Sequence, residues 1–193
     1  MRKTDSAILT ADTFEIGEEI PVTVRAITPA DAEALVRFHG HLSPRAITLR
    51  YFYPHLQLGA EEVAHLTAVD GQDRVALVVE REGELIAVGR YDRLNDPSLA
   101  EVAFVVADNF QHHGIATMLL QRLAGRAQEV GITHLMAAVM GNNSEMLSVF
   151  HHTGFPMESH VECGTVELKM SIAECFVGPL DGHSPQHSGS SVC

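Results

Sequence analysis

Apolar positions along the chain fall into two rhythms. Short runs rich in β-branched residues mark strands at 22–27, 75–80 and 85–91, at Leu99–Val106, at His134–Met140 and at 165–172. Between them, apolar residues spaced three and four apart mark helices. Ala32, Leu35, Val36 and Phe38 form one such face, and Met118, Leu119, Leu123 and Ala127 form the apolar side of a longer helix over 115–130. Thr28-Pro29 and Ser43-Pro44 each join an N-capping hydroxyl to a proline suited to the first helical position, so each predicts a helix start. The second of these helices leads through Ile47 and Leu49 into Tyr51-Phe52-Tyr53, where Pro54 stops it. Two further helices are predicted over 61–68 and 145–152. Gly131 and Gly154 stand where the helices over 115–130 and 145–152 should end. Arg81-Glu82-Gly83-Glu84 reads as a hairpin turn and Asn95-Asp96-Pro97 as the turn before the next strand. The order β-α-α-α-β-β-β-α-β-α-β-β predicts one α/β (α+β) domain, a central mixed sheet with helices on both faces.

The two ends differ from this core. Residues 1–20 alternate weakly and are expected to form an arm or an extra strand, and 21–173 make up the domain. Residues 174–193, rich in Gly, Ser, Pro and His, cannot bury enough apolar surface to offset their ordering entropy and are expected to be a flexible tail. No stretch reaches the about 18 uninterrupted apolar residues of a membrane span, and the N-terminus lacks the apolar centre of a signal peptide. Cys163, Cys175 and Cys193 have the spacing of neither a disulfide framework nor a thiolate zinc site. The adjacent pairs His112-His113 and His151-His152 diverge on a helix. A cytoplasmic protein without a metal centre is therefore expected.

Charge narrows the partners. The 193 residues carry 13 Lys+Arg against 25 Asp+Glu, a formal net charge of −12 with histidine neutral, and no basic run. Neither nucleic acid nor an anionic membrane is an expected partner, whereas a cationic substrate or a basic protein segment is.

The segment that carries chemistry is 99–117, LAEVAFVVADNFQHHGIAT. A strand runs into the turn Gln111-His112-His113-Gly114-Ile115-Ala116, which opens the long helix. The first amides of a helix have no intrahelical acceptor, and the helix dipole adds partial positive charge there, so such a turn suits a pyrophosphate. Gly114 would let the anion approach the backbone; equally, a strand–helix turn needs glycine for its conformation alone. The G-K-[ST] of a nucleoside-triphosphate loop is missing. Glu101 shares a strand face with Ala103 and Val105, as a candidate base or as a charge facing solvent.

The run Gln111-x-x-Gly114-x-Ala116 after an apolar strand resembles the acetyl-CoA loop of the GNAT N-acetyltransferases. A second match follows in that family's order: Asn143-Ser144-Glu145-Met146, continuing to His152-Thr153-Gly154-Phe155. The resemblance implies a central, mostly antiparallel sheet and an acetyl-CoA-dependent transfer to an amine. It implies that Val105 and Val106 offer backbone groups to the pantetheine arm. The amides of Gln111, His112, His113, Gly114, Ile115 and Ala116, with the Thr117 hydroxyl, would hold the pyrophosphate. Asn143 and Phe150 would approach the cofactor from the other side, and Glu101 would be the general base. A lysine amine, with a pKa of about 10.4, must lose its proton before it can attack a thioester, and a partly buried carboxylate is suited to take it.

Two positions depart from the family pattern. Phe150 stands where many members have a tyrosine that protonates the leaving thiolate, so that role is absent or filled by water. His113 stands where a basic residue is frequent, so its protonation is expected to tighten acetyl-CoA binding as pH falls towards about 6. The N-terminal pattern Val24-Arg25-x-Ile27-x-Pro29-x-Asp31, Leu42-Ser43-Pro44-Arg45 and Leu49-Arg50-Tyr51-Phe52 resembles the bacterial Pat-type protein-lysine acetyltransferases. That implies a protein lysine as acceptor, for example on an acyl-CoA synthetase, with no room in this chain for the regulatory domain fused to some relatives. Arg45 and Arg50 also read as surface charges bracketing a helix, the tyrosines as wall or core, and His39 and His41 as cleft or solvent residues. A small amine acceptor, and a noncatalytic acyl-CoA sensor, remain as alternative functions.

Overall fold

Two-residue turns and alternating burial build most of the sheet. In the computed structural model, which describes residues 11–16 and 20–173, strands β3 (Arg74–Arg81) and β4 (Glu84–Arg93) form a hairpin whose turn is Glu82-Gly83. Strands β7 (Met157–Glu162) and β8 (Thr165–Ser171) form another, around Cys163-Gly164. Each turn places both residues at positive φ (53° and 83°; 48° and 82°), the mirror-image geometry that matches strand twist. Strands β1 (Asp12–Ile16), β2 (Ile20–Ala26), β5 (Leu99–Val106) and β6 (His134–Met140) complete one eight-stranded sheet in the order β1-β2-β3-β4-β5-β6-β8-β7. The weakly alternating N-terminal segment thus supplies an edge strand; the expected tail, with Cys175 and Cys193, lies outside the described residues.

Every neighbouring pair is antiparallel except β5–β6, which is parallel because helix α4 (Ile115–Glu129) crosses over between them. Helix α4 and helix α5 (Ser144–His152) cover one face, where Leu119, Leu120, Leu123 and Phe150 pack on Val75, Leu77 and Val102. Helices α1 (Ala32–His41), α2 (Pro44–Tyr51) and α3 (Ala60–Thr67) cover the other, where Leu35, Phe38 and Ile47 pack on Ala76, Val78 and Leu85. The mixed sheet with helices on both faces is as the apolar pattern predicts. No helix among the described residues is long and apolar enough to cross a membrane.

Both Pro-preceded starts are present, and each differs in detail from its sequence reading. Thr28 and Pro29 open a single 3-10 turn, Pro29–Asp31, that feeds α1. Asp31 accepts from the Thr28 amide (2.8 Å) and hydroxyl (3.0 Å) and is gripped bidentately by Arg25 at 2.7 and 2.8 Å. Ser43 caps α2 by accepting from the Ala46 amide at 3.1 Å. Val36, assigned to the apolar face of α1, is 46% exposed, because the inward positions after Leu35 are Phe38 and His39. Helix α2 ends before Pro54 acts: Phe52 donates to the Thr48 carbonyl at 2.8 Å and then turns left-handed, at φ 67°.

Candidate active site

Strands β5 and β6 are paired only at their starts, Leu99 with His134, Ala100 with Leu135 and Glu101 with Met136. Beyond Glu101 they part, β5 staying with β4 and β6 with β8, and the sheet opens in a V. Peptide groups along β5 alternate between these neighbours. Leu99 accepts from Leu94 and Ala107 donates to Ile86, whereas Ser98 accepts from Thr133 and His134. Odd-numbered peptides therefore face β4, and those of Phe104 and Val106 face the opening. Val105, expected to offer backbone groups, spends them in the β4 ladder and presents its side chain to the neighbouring cavities. The Val106 carbonyl already accepts from Gln111 Nε2 at 3.2 Å and keeps a second lone pair.

The turn after β5 presents unpaired amides. His112 (φ 65°) and Gly114 (φ 79°) are both left-handed, flanking His113. The first helical bond of α4 runs from the Met118 amide to the Gly114 carbonyl (3.0 Å), so the amides of Ile115, Ala116 and Thr117 precede it without a helical acceptor. A Cβ built on Gly114 would meet no atom within 4 Å, so positive φ, not crowding within the chain, is what requires glycine here. Alternating left-handed turns and free first-turn amides form a concavity of the geometry that suits an anion.

A groove of about 500 Å³ runs from this turn towards the V. Of the residues singled out in the sequence, Val105, Val106, Gln111, His112, Gly114, Ile115, Ala116, Thr117 and Asn143 line it. His113 does not: its Nδ1 lies 2.7 Å from the Gln111 carbonyl, a bond within the turn itself. Asn143 caps α5, its Oδ1 accepting from the Met146 amide at 3.1 Å. The opposite wall adds Met146, Val149 and His152, which follow Asn143 at steps of three along α5. That spacing was legible, but it also describes an ordinary packing face. Arg45 of α2 and Glu145 of α5 pair at 3.6 Å between the two helices that flank the groove.

Glu101 and Phe150 line a second, smaller cavity, of about 50 Å³, at the V itself, with Arg50, Phe52, Ala103 and Phe104. It shares Leu49, Asn143 and Met146 with the groove, so the two adjoin at that wall. Glu101 is exposed, so the chain alone does not bury it. Its cross-strand neighbour is Asp92, which Arg90 holds bidentately at 2.7 and 2.8 Å and Arg74 contacts at 3.2 Å. Burial pushes the Asp92 carboxyl up, but the Arg90 and Arg74 bonds and charges outweigh it and hold the group below the usual carboxylate range. Phe150 is 2% exposed and packs on Phe104 with ring centroids 6.1 Å apart. Phe104 in turn lies over Gly89, where any Cβ would come within 2.8 Å of its ring. His39 is buried beside Tyr51 and His55, while His41 is exposed.

Comparison with known proteins agrees with this geometry. The sequence profile of the acetyltransferase (GNAT) family matches residues 44–155, more than half of the chain. The chain belongs to the GNAT family. The members of that family are acetyltransferases. The GNAT domain of S. lividans PAT superposes with a TM-score of 0.79 at 35% identity, over 83% of this chain and 96% of that one. The acetyltransferase Pat of Mycolicibacterium smegmatis is 28% identical over 134 residues, which are 68% of this chain and 40% of that relative. The chain therefore spans well under half the length of that curated relative. The protein yncA of Salmonella typhimurium, solved with its cofactor acetyl-CoA, shares the fold at a TM-score of 0.65 and 19% identity, over 84% of this chain and 99% of that one.

Proposed function

We propose that this GNAT protein acetylates the side-chain amine of a protein lysine, for example on an acyl-CoA synthetase, by direct attack within a ternary complex. The observation that carries the reading is the position of Glu101. It stands where β5 and β6 part, in a cavity that adjoins a groove headed by free helix amides. The likeness to two Pat proteins supports a protein acceptor, and the net charge of −12 supports a cationic one.

The residues divide the work by chemistry. The amides of Ile115, Ala116 and Thr117, with the left-handed turn at His112 and Gly114, would hold the pyrophosphate without a basic side chain. The peptide edge of Phe104 and Val106 would carry the pantetheine arm, and the Asn143 side chain would close the other side. Glu101 would take the ammonium proton, directly or through water, leaving the amine lone pair free to attack. Acetyl-CoA supplies the thioester, whose C–S bond breaks as the N–C bond forms. Phe150 has no proton to give, and a thiolate is stable enough to leave without one.

A Glu101→Gln variant tests this directly. Turnover of a lysine peptide, followed by thiol release, should fall by a factor on the order of 10² to 10⁴. Acetyl-CoA affinity should stay within about twofold. Normal binding with undiminished turnover removes Glu101 from the mechanism. Thiol release that no lysine peptide or synthetase stimulates, but a polyamine does, replaces the protein acceptor with a small amine.

A further inference from the structure

A third cavity lies on the same sheet face as Glu101, beneath α1, α2 and α3. It measures about 30 Å³, room for about two or three water-sized atoms. Its walls are mostly apolar, Leu35, Phe38, Leu42, Leu58 and Val88 among them. Its polar members are His39, Arg50, Tyr51 and Arg90, and no carboxylate lines it. Arg90 is already committed to Asp92. The other two nitrogen-bearing groups are not committed. His39 is 3% exposed, and its Nε2 is buried with no hydrogen-bond partner. The Arg50 guanidinium forms no ion pair or hydrogen bond among the described residues; its recorded contact is with the Tyr51 ring, 5.1 Å from the centroid. Burial pulls both groups below their ordinary pKa values, outweighing the opposite pull of Glu101 and Asp92 on Arg50 and of Glu62 on His39.

The position of this cavity decides whose anion it suits. It shares Val105 with the groove, and Ala103 and Arg50 with the cavity of Glu101. It therefore adjoins both the groove and the V, separated from them by these shared side chains. Arg90 is held by Asp92, so Arg50 carries the cavity's free positive charge, and we assign its matching anion to the acyl donor, whose groove adjoins the cavity. We propose that this cavity receives the distal carboxylate of a malonyl-class acyl-CoA, bound there by Arg50 and His39. A malonyl group exceeds acetyl by one carboxylate, a load matched to the room available. The inference rests on the proposed reading of the groove as the acyl-CoA site and names a second class of donor for it. The transfer step is unchanged: the lysine nitrogen bonds the thioester carbon, the C–S bond breaks, the proton goes to Glu101, and the distal carboxylate is a spectator.

The test uses the full chain, one lysine peptide and three donors: acetyl-, butyryl- and malonyl-CoA. Thiol release and the mass added to the peptide are read together, with donor Kd by calorimetry. Malonyl-CoA is expected to bind at least tenfold tighter than butyryl-CoA, an uncharged chain of similar length, and to be transferred. In Arg50→Met the ratio of malonyl to acetyl kcat/KM should fall at least tenfold, and Arg50→Lys should restore part of it. Malonyl-CoA bound no better than butyryl-CoA, or an Arg50→Met change that affects both donors equally, overturns the inference. If Arg50→Met does not fold, the malonyl-to-butyryl comparison in the unaltered protein decides. Donor affinity that depends on Arg50 without any lysine transfer would instead overturn the acceptor reading and leave this one standing.

Discussion

Glu101, Phe150 and His113 show how far a residue's role depends on what surrounds it. Strand alternation placed Glu101 with Ala103 and Val105, but nothing in the sequence said that the neighbouring strand would leave at Glu101. The partial burial invoked for it is not supplied by the chain, because the residue is exposed where the V begins. Phe150, read for the hydroxyl it lacks, is a core residue that spans from Phe104 to the cavity wall. His113 donates from Nδ1 to the Gln111 carbonyl within its own turn, and its ring is not part of the groove wall. Arg50 and His39 are the residues whose use was least legible. An unpaired guanidinium and an orphaned ring nitrogen become visible only when every potential partner has been placed.

At the scale of elements, most starts and stops were legible because capping is local. Ser43 before Pro44, Gly131 after α4, and the two X-Gly hairpin turns each follow from backbone preferences within a few residues. The motif Arg25…Asp31 was legible as a family pattern but not as a device. It proves to be a clasp that fixes the entry to α1, with Arg25 reaching Glu80 of β3 at 2.9 Å as well as Asp31. The Arg25 hydrogen bond leads in holding the Asp31 carboxyl below its ordinary value, against the cost of burial. A depressed folded-state pKa contributes stability in full above the unfolded value near 4, and loses it as pH falls through the folded one. Asp31→Asn should accordingly cost about 2 kcal/mol between pH 5 and 8. That difference from the unaltered protein should shrink below pH about 4, as urea unfolding across the range would read. A cost independent of pH would mean that the clasp acts through shape and not charge.

Across the whole molecule, the net charge of −12 is compatible with the proposed polyanionic cosubstrate, because the proposed function handles the two by different means. Backbone amides at a helix terminus attract phosphate over a few ångströms, whereas side-chain charge acts over roughly a Debye length, about 10 Å at 0.1 M salt. Salt should therefore separate the two substrates. Raising sodium chloride from about 0.05 to 0.5 M should raise KM for a lysine- and arginine-rich peptide several-fold. The acetyl-CoA KM should move less. Equal sensitivity of both would place the acidic charge outside the acceptor's path.

Local preference and periodicity were enough to determine the elements, their order, the mixed sheet with helices on both faces, and the glycine turn that opens α4. These depend on neighbours within a turn or two, which the chain order specifies directly. The parting of β5 from β6, the choice of peptides that face the opening, and the meeting of three cavities around Ala103–Val105 were decided only in three dimensions. Each depends on contacts between segments far apart in the chain. Arg50 comes from α2, Arg90 from β4, Glu101 from β5 and Phe150 from α5, and no spacing within any one of them encodes where the others end.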